Sequence, residues 1–118
     1  MAGTQMLGAV YPPPLPTPPP ATIVASGTWN SGPILAGGAR RFGAGATLDK
    51  TGTLTVQAFL NAAGTIPAVA AVSATLAAGV ANYVSIDGGA PAASYVVIVT
   101  NTDATTGNLT AVAVLAGS

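Results

Sequence analysis

The chain has 118 residues, only three basic and three acidic, and neither His nor Cys; charged residues make up 5% of it, against roughly 25% in an ordinary soluble domain. Without an imidazole or a thiolate, most general-base, nucleophilic and transition-metal chemistry is excluded. A net charge of zero leaves no electrostatic footprint for nucleic acid, and so uncharged a surface suits cover by partners or by copies of itself.

Met1 to Val10 is small and apolar without a clear period, and it carries no basic residue that would open a signal peptide. Seven of the ten prolines then fall within Tyr11 to Pro20. Such a run cannot donate ladder hydrogen bonds and adopts stiff, extended polyproline II. It predicts an N-terminal arm over residues 1–20 ahead of a globular domain over residues 21–118. As a docking arm it would lay Tyr11, Pro12, Pro13, Pro14, Leu15 and Pro16 along a neighbouring subunit, with Tyr11 and Leu15 as anchors. The plainer reading is a linker.

Thr22 to Thr28 reads as a first strand, Trp29 to Pro33 as a turn cluster and Ile34 to Ala36 as a second strand broken by Gly37-Gly38. Trp29 and the paired Arg40 and Arg41 are candidate partner contacts, since adjacent guanidinium groups suit an interface or an anion. Ala39 to Gly45 is short and punctuated by glycine. From Asp49 the chain predicts a type I turn closed by a left-handed Gly52 in a hairpin. Beyond it, Leu54, Val56, Ala58 and Leu60 alternate with Thr53, Thr55, Gln57 and Phe59, the period-two signature of a strand with one buried face.

Asn61 to Thr65 reads as a loop, and Pro67 confines the residues after it to a sheet edge. Val69 to Val72 reads as a strand, Ala74 to Ala78 also allows a short helix, and Gly79 marks a break. Ile66 to Val80 lies in a long uncharged gap but is mostly alanine, too weakly apolar for a membrane span. Tyr83 to Ile86 is a short strand closed by an Asp87-Gly88-Gly89 turn. Ser94 to Thr100, dense in β-branched residues and apolar on both faces, is the expected central strand. Asn101 to Asn108 is a polar turn, and Leu109 to Leu115 the last strand. Short strands with frequent turns define an all-β fold, a β-sandwich or jelly roll.

Two resemblances bear on function. Asp49-Lys50-Thr51-Gly52-Thr53-Leu54-Thr55 resembles the phosphorylation-site signature of P-type cation-transporting ATPases, whose Asp takes a phosphoryl group from ATP. That chemistry needs Mg²⁺ held by further acids on an α/β domain, whereas this chain has no Glu and only Asp87 and Asp103 besides. Asp49 is therefore read as a turn residue. Tyr95-Val96-Val97-Ile98-Val99-Thr100-Asn101 together with Gly107-Asn108-Leu109-Thr110-Ala111-Val112-Ala113 resembles the closing hairpin of small jelly-roll virion proteins of tailed bacteriophages, the capsid decoration or cement type. The resemblance implies a structural protein of the capsid exterior, bound to the major capsid protein and to itself as a homotrimer or other homo-oligomer. It implies no enzymatic activity, cofactor, nucleic acid or membrane. The alternative is a carbohydrate-binding sandwich that uses Trp29, Tyr83 or Tyr95 as a stacking platform.

Overall fold

The computed structural model describes residues 10–35, 39–68, 70–87 and 92–117, and among them the regular structure is entirely β. The strands are β1 (Val10–Tyr11), β2 (Thr22–Ile23), β3 (Thr28–Asn30), β4 (Ile34–Leu35), β5 (Arg41–Leu48), β6 (Gly52–Phe59), β7 (Val72–Leu76), β8 (Asn82–Asp87), β9 (Ser94–Asn101) and β10 (Gly107–Gly117). One sheet runs β1-β10-β5-β8 with β2 also on β10. The other runs β3-β9-β6-β7 with β4 also on β9. Every pairing is antiparallel. Taking β1 with β2, and β3 with β4, as interrupted edge strands leaves two four-stranded sheets joined mainly by crossings between them, the winding of a jelly roll.

Alternation decides which side of each strand is inside. On β5, Phe42, Ala44, Ala46 and Leu48 point inward; on β6, Leu54, Val56 and Ala58 do. They meet Tyr95, Val97 and Val99 of β9, which lies between β3 and β6 and is as central as its composition requires. Phe42 and Tyr95 stack across the sandwich, with ring centroids 4.5 Å apart and planes 10° from parallel. The Tyr95 hydroxyl keeps a partner in the core by donating to the Ala39 carbonyl at 2.6 Å, and burial pushes its pKa up. Each fully buried aliphatic or aromatic side chain stabilises by about 1.5–3 kcal/mol.

Several sequence expectations are corrected. β5 and β6 lie in opposite sheets, so Asp49 to Thr51 bridges the sandwich and is no hairpin. Gly52 is not left-handed, because positive φ occurs only at Ser26, Gly32, Gly64 and Gly79 among the described residues. Its glycine is needed because a Cβ would run into the Thr100 carbonyl and lie 2.9 Å from Leu48 Cδ2. Leu60 leaves the core, 56% exposed, because β6 ends at Phe59. The short helix that Ala74 to Ala78 allowed is not formed; the segment is the end of β7 and a turn, since Leu76 pairs with Gly52 and Ala74 with Leu54 in an edge ladder. β9 and β10 do not form a closing hairpin either, as they too belong to opposite sheets.

The first predicted strand is split by a Val24–Gly27 turn into β2 and β3. Trp29 and Asn30, expected in a turn, belong to β3. Asn101, expected in a polar loop, is the fully buried end of β9. The predicted break at Gly37-Gly38 and the glycines of the Asp87-Gly88-Gly89 turn lie outside the described residues.

The proline run is extended as expected, but it is no free arm. β1 pairs Val10 with Gly117 and Tyr11 with Ala116, and β2 pairs Thr22 with Asn108 on the same edge of β10. Between them the run crosses to the other sheet, where the Thr17 N–H donates to the Ser31 carbonyl at 3.0 Å. Pro13 is buried and Leu15 packs against the core. Residues 11–20 are a strap across the open side of their own sandwich.

Candidate partner-binding surface

The outward face of the β10-β5-β8 sheet is built from small residues on its middle strand. Outward positions of β5 are Arg41, Gly43, Gly45 and Thr47. Register places Gly45 between Tyr83 of β8 and Ala113 of β10, and Gly43 between Ser85 and Leu115. Because the two glycines carry no side chains, their strand forms the floor of a shallow channel whose walls are the neighbouring strands. Tyr83 is 74% exposed and Leu115 51% exposed. The channel encloses about 300 Å³ near Thr47, Asn82 and Tyr83 and continues past Gly43 toward Leu115. One row further, Arg41 faces Asp87 across the β5–β8 ladder and closes the channel end with opposite charges. The walls present apolar carbon and an aromatic ring, and the rim presents hydroxyl and amide groups.

Asn82 restrains the free side of this sheet. Its side-chain N–H₂ donates to the Thr75 carbonyl at 2.9 Å, and its oxygen accepts from the Tyr83 N–H at 2.8 Å. One side chain thus occupies edge groups of β7 and β8 that would otherwise template another strand.

The residues expected to meet a partner are dispersed. Trp29 is 5% exposed and sits in the core, so it is neither a partner contact nor a stacking platform. Its Nε1 is the buried side-chain polar atom without a hydrogen-bond partner among the described residues. Tyr95 is buried too, which leaves Tyr83 as the exposed ring of the three proposed. Arg40 and Arg41 are both exposed; the Arg40 N–H donates to the Gly117 carbonyl at 3.2 Å. On the strap, Pro12, Pro14 and Pro16 face solvent, and Tyr11 is 40% exposed. Pro13 and Leu15 are turned into the protein's own body. Sequence reasoning did not find the channel, although its signal is visible afterwards: glycine at alternate positions of β5, opposite a buried Phe42-Ala44-Ala46 face.

Asp49, the phosphorylation-like aspartate, is committed to structure. Its two carboxylate oxygens accept from the Asn108 backbone N–H at 2.6 Å and the Asn108 side-chain amide at 2.7 Å. The Asn108 N–H is the main cause holding this carboxyl below its ordinary pKa of 3.8, assisted by the Asn108 amide and Lys50 against a smaller opposing cost of leaving water. Among the described residues no cluster of three acidic side chains is placed to hold a metal ion.

No family model and no curated protein matches the sequence. The fold is similar to that of known structures. PBSX exported protein XepA, a phage-related protein, matches 93% of this chain with a TM-score of 0.61 and 14% identity. A chain of the T13 IBDV viral particle matches 92% with a TM-score of 0.55 and 14% identity. The apo form of BiXyn10A CBM1 matches 81% with a TM-score of 0.50 and 11% identity. The chain spans 36% of XepA, 30% of the viral chain and 69% of BiXyn10A CBM1. At such identities the likeness is one of fold.

Proposed function

We propose that the chain is a structural virion protein that decorates and reinforces an assembled phage shell from the outside. It makes contact with the major capsid protein through the Tyr83–Gly45–Ala113 channel and acts without enzymatic chemistry. The observation that carries this reading is the channel itself: a largely apolar outward sheet face, charged only at its Arg41–Asp87 end, on a jelly roll of almost no charge, a hazard in a free monomer and an asset in an assembly. The likeness of fold to a phage-related protein and a viral particle chain supports it. Binding only the assembled shell stabilises that shell by linkage, by about 2.7 kcal/mol per site at a hundredfold excess over Kd. In a heat-release experiment, shells of the phage that encodes the chain should retain their contents to a higher temperature when the protein is added. An unchanged release temperature at saturating protein would contradict reinforcement.

A second reading rests on one feature, the exposed Tyr83 ring beside Asn82 and Thr47 over a glycine floor, which suits stacking of a sugar ring. It predicts retardation on glycan affinity gels that Tyr83→Ala abolishes, together with indifference to capsids.

A further inference from the structure

We infer that the strap is exchangeable, so that residues 10–17 of one copy seat in the cleft of a second copy and tie the two together. The cleft is already filled by this segment in cis, so the occupant's chemistry is given. It requires a strand for the Ala116–Gly117 edge, apolar residues at the positions of Pro13 and Leu15, and an N–H for the Ser31 carbonyl. A second copy's strap supplies every one of these contacts.

Geometry favours the exchange. Between the Tyr11–Ala116 and Thr22–Asn108 pairs the strap advances eleven residues while β10 advances eight. That sets about 34 Å of polyproline II against about 27 Å of strand. In cis the excess is taken up by bowing a stiff segment out to Ser31 and back. The chain bends at Pro16 and Thr17 and returns to β2 through Pro18, Pro19 and Pro20, which are exposed and have no N–H to lose when the bend opens. The body side of the bend is fixed independently. The Asn101 amide donates to the Ile23 carbonyl at 2.9 Å and the Leu109 N–H donates to the Ala21 carbonyl at 2.9 Å. Opening therefore releases residues 10–17 as a unit and leaves β2 in place. Because cis and trans contacts are identical, concentration decides between them. Copies held side by side reach effective concentrations in the mM range.

The test uses purified full-length protein without shells, so its outcome is separate from that of the capsid reading. A Cβ built on Gly32 lies 3.5 Å from Pro16 Cβ, within the roughly 3.5–4.5 Å that a disulfide spans, and the chain has no native Cys. Pro16→Cys and Gly32→Cys proteins are concentrated together and then oxidised. Exchange predicts that the mixed disulfide dimer exceeds either homodimer severalfold, and that oxidising the double variant in dilute solution traps cis-linked monomer. A mixed adduct no more abundant than the homodimers would overturn the inference. Since Gly32 has φ of 73° and Cys is strained there, a second measurement stands alone. Sedimentation of the wild type at mM concentration should show dimer, and replacing Pro18, Pro19 and Pro20 by glycine should lower that fraction severalfold. A wild type that stays monomeric, or a dimer fraction indifferent to the hinge, refutes exchange.

Discussion

Asn101 is the residue on which the loops at one end of the sandwich depend. Its amide N–H₂ donates to the carbonyls of Ile23 and Thr105, both at 2.9 Å, and reaches the Val24 carbonyl at 3.3 Å. Its oxygen accepts from the Asp103 N–H at 2.9 Å. A buried amide so satisfied costs little, but its removal leaves carbonyls and an N–H without partners. Asn101→Ala should lower unfolding stability by on the order of 3 kcal/mol, read from the urea midpoint. Asn101→Asp should cost at least as much, since a carboxylate would face carbonyl oxygens. Asp49 gives a pH prediction of definite sign. Its carboxylate is stabilised in the fold, so the benefit is full above the ordinary value of 3.8 and is lost as pH falls from there through the lowered folded value. Asp103, held low chiefly by the Thr105 hydroxyl, acts in the same direction. The melting temperature should therefore fall on acidification below pH 3.8. Asp49→Asn should flatten part of that fall, and adding Asp103→Asn should flatten more; a slope unchanged in both variants would show that these carboxylates do not stabilise the fold.

At the scale of elements, β5 and β6 show why glycines of one composition differ in role. A Cβ on Gly45 would meet ordinary neighbours at 3.6 and 3.8 Å, whereas one on Gly52 has no room. Gly45→Ala should be neutral or stabilise by about 0.5–1 kcal/mol, and Gly52→Ala should destabilise by about 1–3 kcal/mol, both measured by thermal or chemical unfolding. Equal effects would mean that the channel floor is as packed as the sheet interior. These strands also mark how far the sequence was legible. Period two identified the buried face of β6 and the stretch of β8, and β-branched density the central place of β9, because these are properties of one strand alone. Neither could say which sheet a strand joins, so the turns read at Asp49 to Gly52 and at Asn101 to Asn108 were taken as hairpins when both connections cross the sandwich. Trp29 was misplaced because the turn residues after it, Asn30-Ser31-Gly32-Pro33, masked a short edge strand. The strap was misjudged for a related reason: proline content fixes an extended backbone and says nothing of what that backbone lies against. The channel depended on three strands distant in sequence, which no local pattern joins.

At the scale of the whole molecule, the charge-poor surface acquires a location. The β10 edge is taken by the proline strap, and Asn82 binds edge groups of β7 and β8, while one sheet face is left open. The central claim is that this face holds the chain on an assembled shell, and co-sedimentation with intact shells tests it most directly when wild type and Tyr83→Asp are compared. Wild type should pellet with the shells to a saturating ratio, and Tyr83→Asp, with an unchanged melting temperature, should stay in the supernatant. Wild type remaining in the supernatant, or Tyr83→Asp pelleting as well as wild type, would contradict it.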